Sequence, residues 1–297
     1  MIYLLKEYLY LSHPSMTKHY FKLTKTIINK PRGVYSKRTL LFCYSKLIYK
    51  SYIFQKLRSP KKSTFNKVLR EKILGYTIQF YNYPELINLF EEIYIFETYK
   101  PSYPKPETII DCGGNIGLTI LYYKQYFPAC RVLAFEPDTS NFSLLKQNLT
   151  SNNIKGVAFF NTALSDQERE MILYKNIESS NSLTSRLIKT PYFEESEIVF
   201  TEKLSDHING AISILKIDVE GSEVSILNNL IHSQKLMLIK EMIIEFHPDI
   251  IGLSVDDFIN KIIPYGFTCR SVQDMLHPGG TEIMIYCTNT SSEIVLN

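Results

Sequence analysis

Short apolar segments alternate with segments of helical periodicity from residue 108 onwards, and this alternation limits the possible folds more than any other feature of the sequence. Strands that are apolar throughout are buried on both faces, as in a parallel sheet covered by helices. The alternation therefore predicts a doubly wound α/β sheet. Its predicted parallel strands are 108–112, 131–137, 157–164, 212–218 and 241–248.

Two further apolar segments, 267–272 and 282–288, follow a predicted helix around 255–263. They are predicted to close the sheet as an antiparallel pair, which gives seven strands with an antiparallel last strand. An additional hairpin is expected around 171–176, followed by a polar loop around 179–185.

Charge divides the chain unevenly. Residues 1–70 contain 16 Lys and Arg and a single acid, Glu7, whereas residues 71–297 contain 17 Lys and Arg and 29 acids. Three prolines within residues 100–107 exclude a helix there. We therefore predict three segments: a basic, mostly helical extension over 1–70, a strand–helix adaptor with a Pro-rich bridge over 71–105, and the sheet domain over 106–297.

The basic extension contains an amphipathic helix at 37–57. Its apolar residues recur at helical spacing with lysines among them. Such a helix can pack on the rest of the protein, lie in an anionic membrane interface, or contact nucleic acid phosphates. Packing is the ordinary outcome and nucleic acid the least favoured. The apolar face consists of Leu40, Leu41, Tyr44, Leu47 and Ile48.

Targeting features are few. No apolar run approaches the ~20 residues that a membrane-spanning helix needs. The five scattered cysteines show no zinc-binding spacing and do not suggest a disulfide framework. We therefore expect a cytoplasmic protein in a reducing compartment, with peripheral attachment to the inner face of the membrane as an option.

Acidic residues follow four of the predicted parallel strands. Asp111 and Glu136 end the first two strands, and Asp218 and Glu245 end the last two. In doubly wound sheets, ligands bind beyond the carboxyl ends of the strands. Four acids at that edge favour a ligand rich in hydroxyl and amino groups.

The glycine turn after the first strand discriminates between nucleotide cofactors. The spacing is D-x-G-x-x-x-G at Asp111, Gly113 and Gly117, whereas dinucleotide binding requires G-x-G-x-x-G. No triphosphate-binding G-x-x-x-x-G-K-[ST] occurs either. A carboxylate 25 residues later, Glu136, can accept hydrogen bonds from both hydroxyls of a ribose. The pattern favours a ligand with ribose but no phosphates, and S-adenosylmethionine, whose sulfonium and ammonium groups are cationic, fits it.

Residues 91–248 resemble the FkbM-type S-adenosylmethionine-dependent methyltransferases. The strings that carry the resemblance are EEIYIFETY, TIIDCGGNIG, VLAFEPDTSNFSLLKQNL, NTALSD, LKIDVEGSEVSILNN and MIIEFHP, of which KIDVEGSE is the most specific. Gly114 departs slightly from the family, which often has Ala there. The first 70 residues lie outside the resemblance.

The resemblance implies a class I methyltransferase fold, which is Rossmann-like, and methyl transfer to a hydroxyl, often of a saccharide or a glycosylated small molecule. Glu136 would hold the ribose, Ala163 in the strand end at 161–164 would edge the adenine, and Asp218 would face the transferred methyl. The methionine end of the cofactor would be lined by Asp111, Gly113, Asn115 and Gly117.

The acceptor hydroxyl must lose its proton during the transfer, to a base or with the help of a metal. His247 is the candidate base. Alternatively, Asp218 and Glu245 could hold Mg²⁺. Two carboxylates are few ligands, so metal-free transfer is favoured and no metal ligand is assigned.

Two other functions compete with this one. A nucleic-acid methyltransferase would use the basic extension, but the N-P-P-[YFW] type motif of amino-directed enzymes is missing where the fourth strand ends, at the sequence DVEG. A non-catalytic protein at a membrane surface or in a scaffold is the other alternative, and the intact acids and glycines at the strand ends argue against it.

Overall fold

The computed structural model describes residues 14–31, 33–57, 68–175, 185–187, 195–273 and 281–291. The chain divides into two compact units, 1–97 and 98–297. This boundary falls inside the predicted adaptor over 71–105, and the three-segment division stays a prediction. Among the helices in the described ranges, none combines the length and apolar character that a membrane span requires.

The first unit is a small helical assembly with one hairpin. The hairpin turns at Leu74 and Gly75, both of which have positive φ. The third helix begins at Asn82, whose side chain accepts a hydrogen bond from the Glu85 amide, and continues into a π-helical turn over Glu91–Phe96. The elements are α1 (Pro14–Asn29), α2 (Lys37–Leu57), β1 (Leu69–Ile73), β2 (Tyr76–Phe80) and α3 (Tyr83–Phe90).

The apolar face of α2 packs inside this first unit. Leu40, Tyr44 and Leu47 are buried. The Tyr44 ring stacks on Phe90 with 6.5 Å between centroids, and its hydroxyl donates a 2.8 Å hydrogen bond to Glu91. Of the three alternatives for this helix, the burial of its apolar face agrees with packing within the protein, which the sequence analysis took as the ordinary outcome.

The second unit contains eleven strands in its described residues. Seven of them form one sheet in the order β12-β13-β11-β10-β3-β4-β5. The strands are β3 (Thr108–Cys112), β4 (Arg131–Phe135), β5 (Val157–Phe160), β6 (Ala163–Ser165), β7 (Arg169–Lys175), β8 (Ser185–Arg186), β9 (Glu195–Lys203), β10 (Ile212–Ile217), β11 (Ile239–Phe246), β12 (Phe267–Gln273) and β13 (Ile283–Asn289).

This sheet confirms the predicted fold class. Strands β3, β4, β5, β10 and β11 are parallel to one another, and β13 pairs antiparallel with both β11 and β12. Every residue of the central strand β10 is buried, as its mainly apolar sequence predicts, and this includes Ser213 and Lys216. The order reverses between β3 and β10, so the cleft expected at the topological switch point lies at their carboxyl ends. The connecting helices are α4 (Leu118–Tyr126), α5 (Thr139–Ser151), α6 (Glu223–His232), α7 (Pro248–Ile251) and α8 (Val255–Ile262).

The predicted third strand, 157–164, is divided between two sheets. It leaves the central sheet after Phe160, because the Asn161 side chain donates hydrogen bonds to the carbonyls of Glu136 and Pro137 and the chain turns there. Ala163 then lies in β6, in a second sheet of order β6-β9-β7-β8. The predicted hairpin corresponds to β7, whereas most of the predicted polar loop lies outside the described residues.

One cysteine pair contradicts the expectation that no disulfide forms. Cys269 of β12 and Cys287 of β13 lie directly opposite each other in the antiparallel register and are joined by a disulfide, with 4.1 Å between their Cα atoms. The sequence could not reveal the pair, because the two cysteines are 18 positions apart and the sequence between them did not fix the register of the two strands. Cys43, Cys112 and Cys130 are free and buried.

Candidate active site

A cleft of about 700 Å³, part of it open to solvent, lies at the carboxyl ends of β3, β4 and β10. Much of its apolar lining comes from Phe135, Leu164, Leu173 and Leu187. The lining also includes five residues that the sequence analysis assigned to the cofactor, and the structure brings them together here. They are Gly113, Asn115, Glu136, Ala163 and Asp218.

The turn after β3 requires glycine, and its backbone amides are already hydrogen-bonded within the protein. Gly113 has φ +83°, and a Cβ atom there would overlap the Asp218 carbonyl oxygen. The amides of Gly113 and Gly114 both donate 2.9 Å hydrogen bonds to the Phe135 carbonyl. The Asn115 amide donates to the Glu136 side chain at 2.8 Å. These amides are therefore not available to cradle a phosphate.

Glu136 is held in the cleft at the end of β4. One carboxylate oxygen accepts the Asn115 amide, and the other accepts the Asp138 amide at 2.9 Å. Burial, opposed by these two hydrogen bonds, raises the pKa of Glu136 to about 8. Hydroxyl donors of a bound ligand would favour the ionised form, which has about four acceptor positions, so two would remain for that ligand.

Asp111 lies behind the cleft rather than in its wall. Its side chain is fully buried, and its carboxylate is 3.2 Å from Nζ of Lys216 on the neighbouring strand β10. The same Nζ lies 3.1 Å from Asp218 and donates a 2.6 Å hydrogen bond to the Gly113 carbonyl. Burial lowers the pKa of Lys216, but the charges of Asp111 and Asp218 more than reverse this effect and keep the pKa above its ordinary value. Lys216 therefore stays charged and ties the glycine turn to Asp218.

Tyr99 completes this arrangement from the segment just before the Pro-rich bridge. Its hydroxyl lies 2.7 Å from Glu245 and 3.2 Å from Asp218, and its ring contacts the Lys216 ammonium, with 5.0 Å between Nζ and the centroid. The adjacent bridge is fixed as well, because the buried Glu241 carboxylate accepts the amides of Ser102 and Tyr103.

His247 lies among carboxylates at the end of β11. Its Nδ1 is 2.9 Å from the fully buried Glu223, and its Nε2 is 3.5 Å from Glu220 and 3.9 Å from Glu245. Burial lowers the pKa of His247, but hydrogen bonding to Glu223 and the charges of Glu220, Glu223 and Asp218 outweigh it and raise the pKa to about 9. An imidazole that is already protonated at neutral pH cannot take a proton from an acceptor. The assignment of His247 as the general base therefore stays a prediction, and it requires that the ring lose a proton first.

The other candidates lie beside the cleft. Gly117, with φ +89°, caps the start of α4 and lies against Leu145, and it does not line the cleft. Glu245 is bound to Tyr99 next to Asp218. Glu220, in contrast, lines the cleft just before α6 and has φ +55°.

Sequence reasoning missed Lys216, Tyr99 and Glu223. A signal for Lys216 was present, because a lysine inside an otherwise apolar buried strand requires a buried partner. Tyr99 lies 119 residues before Asp218, so only the fold reveals their contact.

Comparison with known proteins places the chain among methyltransferases. The family model for the methyltransferase FkbM domain matches residues 111–268, just over half of the chain. Methyltransferase 1 of Beauveria bassiana (strain ARSEF 2860) is 29% identical over 164 residues, which cover 48% of this chain and 66% of that protein. The chain thus spans just under two thirds of this relative.

Two further proteins carry the FkbM name. The 31-O-demethyl-FK506 methyltransferase FkbM of Streptomyces tacrolimicus is 25% identical over 247 residues, which cover 70% of this chain and 92% of that protein. A crystal structure of methyltransferase FkbM from Methylobacillus flagellatus KT has a TM-score of 0.47 and 14% identity, covering 91% of this chain and 59% of that one.

Proposed function

The chain belongs to the FkbM methyltransferase family, and we propose that it transfers the methyl group of S-adenosylmethionine to a hydroxyl of a saccharide or glycosylated small molecule. The main support for the proposal is the hydrogen bonding of the Glu136 carboxylate. Its carboxylate is held in the cleft by two backbone amides and keeps two acceptor positions, one for each ribose hydroxyl.

The remaining cofactor contacts follow from the residues that line the cleft. Gly113 and Asn115 would contact the methionine end, Ala163 the edge of the adenine, and Asp218 the region of the sulfonium. Asp111 and Gly117 would act indirectly, Asp111 by holding Lys216 and Gly117 by setting the start of α4.

Methyl transfer depends mainly on aligning the acceptor oxygen with the methyl carbon and the sulfur. S-adenosylmethionine supplies an activated methyl group: the acceptor oxygen bonds to the methyl carbon while the carbon–sulfur bond breaks and leaves its electron pair on sulfur. The enzyme holds the groups in line and excludes water. We assign the acceptor proton to Glu245, whose carboxylate lies beside Asp218 and is oriented by the Tyr99 hydroxyl.

The acceptor class is argued from two observations. The name of the Streptomyces relative specifies methyl transfer to an oxygen, which supports O-methylation by this chain as well. Asp218, Glu220 and Glu245 present hydrogen-bond acceptors near the reacting position, which suits a polyhydroxylated acceptor such as a saccharide.

The test measures binding first and transfer second. Calorimetry should show binding of S-adenosylmethionine to the full chain and none of NAD. Labelled methyl from S-adenosylmethionine should then enter the glycan or glycosylated metabolite fraction of a cell extract, and not the RNA fraction. Binding of NAD would overturn the cofactor proposal, and label in RNA would favour the nucleic-acid alternative.

Peripheral attachment to an anionic membrane stays a proposal. The contact would be made by exposed residues of the basic N-terminal segment and not by the buried apolar face of α2. Residues 14–57 contain ten Lys and Arg and no acid. Their exposed apolar side chains are Phe21, Ile28, Val34 and Phe42. Co-sedimentation with anionic but not neutral vesicles, weakened by salt, is expected. Equal recovery with both vesicle types, or with neither, would contradict it.

A further inference from the structure

We infer that Asp218, Glu220 and His247 form a binding site for a divalent cation next to the methyl-transfer position. One ligand atom from each residue lies within 4.8 Å of the other two. Donors that share one ion, each about 2.0–2.6 Å from it, lie about 3–5 Å apart. The side chains are therefore already at the spacing that one ion requires.

The second observation concerns His247, whose side chain is only 3% exposed. Its Nε2 points into the cluster, 3.5 Å from Glu220 and 3.9 Å from Glu245. Both separations exceed the 2.7–3.2 Å of ordinary hydrogen bonds. In the ion-free chain, Nε2 is held by these two long ion-pair contacts, and a cation between these atoms would take the place of the Nε2 proton and bind the ring nitrogen directly.

The hydrogen bond on the other side of the ring has the form found at metal sites. Nδ1 lies 2.9 Å from the fully buried Glu223 carboxylate, which can only accept, so Nδ1 carries the hydrogen and Nε2 is left to face the cluster. Histidines that bind metals nearly always donate their other N–H in this way. Glu223 also accepts the Gly221 amide at 3.1 Å, which fixes the position of its carboxylate.

The neighbouring lysine does not compete for the site. Lys216 and Tyr99 both contact Oδ2 of Asp218, which leaves Oδ1 for a cation. Two carboxylates and one imidazole suit divalent ions such as Mn²⁺, which accept both oxygen and nitrogen donors. The sequence analysis considered only Asp218 and Glu245 as ligands and favoured metal-free transfer. The cluster in the fold instead consists of Asp218, Glu220 and His247, so it has three donors, one of which is a nitrogen.

A cation at this position would bind the acceptor hydroxyl and lower its pKa, which would help Glu245 to take the proton. That role rests on the proposed function. Cation binding itself does not, so it is measured without acceptor, and binding of S-adenosylmethionine is measured separately.

The experiment uses the full chain, stripped of metal by a chelator, and titrates it with Mn²⁺ while free Mn²⁺ is followed by electron paramagnetic resonance. One site per chain is expected, with affinity reduced at least tenfold in Glu220→Gln and Asp218→Asn. His247 is buried, and His247→Gln can fail to fold, so the test uses the two more exposed ligands, Glu220 and Asp218. Melting curves confirm that the variants are folded.

The matched control is Glu202→Gln, since Glu202 and His207 form another carboxylate–histidine pair, 2.7 Å apart, in the same unit. This variant should bind Mn²⁺ as the unaltered chain does. Absence of binding at millimolar Mn²⁺, or binding that survives both cluster substitutions, would overturn the inference. If S-adenosylmethionine still binds in that case, the proposed function stands while the cation site does not.

Discussion

Replacing Glu136 by alanine should weaken the binding of S-adenosylmethionine by about 1.5–3 kcal/mol, or about 10- to 150-fold in Kd. The estimate follows from the two acceptor positions that remain after the Asn115 and Asp138 amides are bound. Hydrogen bonds to a charged group contribute about 1.5–3 kcal/mol each, and the substitution removes both ribose contacts while water replaces part of the loss.

The assay is calorimetry with S-adenosylmethionine and with S-adenosylhomocysteine, which has the same ribose but no sulfonium charge. Both ligands should lose the same factor, because the lost contacts are to the ribose. Glu168→Ala, at an exposed carboxylate outside the cleft, is the control and should leave both affinities unchanged. Unchanged affinity in a folded Glu136→Ala protein would refute the assignment of Glu136 to the ribose.

Three further predictions concern the buried charges. The pKa of Glu136 is raised to about 8, so protonated Glu136 contributes to the stability of the ligand-free protein. This contribution should be fully present below pH 4.5 and lost as the pH rises through about 8. In denaturation curves measured across this pH range, Glu136→Gln should remove the pH dependence. Lys216→Met should cost about 3–5 kcal/mol in chemical denaturation, since Asp111 loses its buried partner, and the double variant with Asp111→Asn should recover part of the loss. Tyr99→Phe should lower kcat about tenfold with little change in the KM for S-adenosylmethionine, because it releases Glu245 without touching the cofactor contacts; an unchanged kcat would contradict the role given to Tyr99.

The sheet and its cleft were predictable because both depend on local patterns. The mainly apolar sequence of β10 indicates burial on both faces, and acids at strand ends must meet at one edge of a parallel sheet. The division of residues 157–164 between two sheets was not predictable in this way. It depends on the Asn161 side chain reaching two carbonyls that lie about 25 residues earlier.

The electrostatic state of the site could not be obtained from the sequence either. Asp111 looked like a cofactor ligand until Lys216, over 100 residues later, was found beside it. His247 looked like a base because an isolated imidazole titrates near neutrality. Its raised pKa comes from Glu220 and Glu223, which approach it only because α6 begins beside the end of β11.

The glycine turn explains why an acid rather than backbone amides should recognise the ligand. A turn that binds pyrophosphate must leave its amides free at the start of the helix. Here the amides of Gly113 and Gly114 are bound to the Phe135 carbonyl, the Gly117 amide is bound to the Gly114 carbonyl, and the Asn115 amide is bound to Glu136. The carboxylate that occupies the Asn115 amide would repel a phosphate group but accepts hydroxyl donors. We therefore expect these hydrogen bonds to favour a ribose without phosphates, and the D-x-G-x-x-x-G spacing is the sequence pattern that allows them.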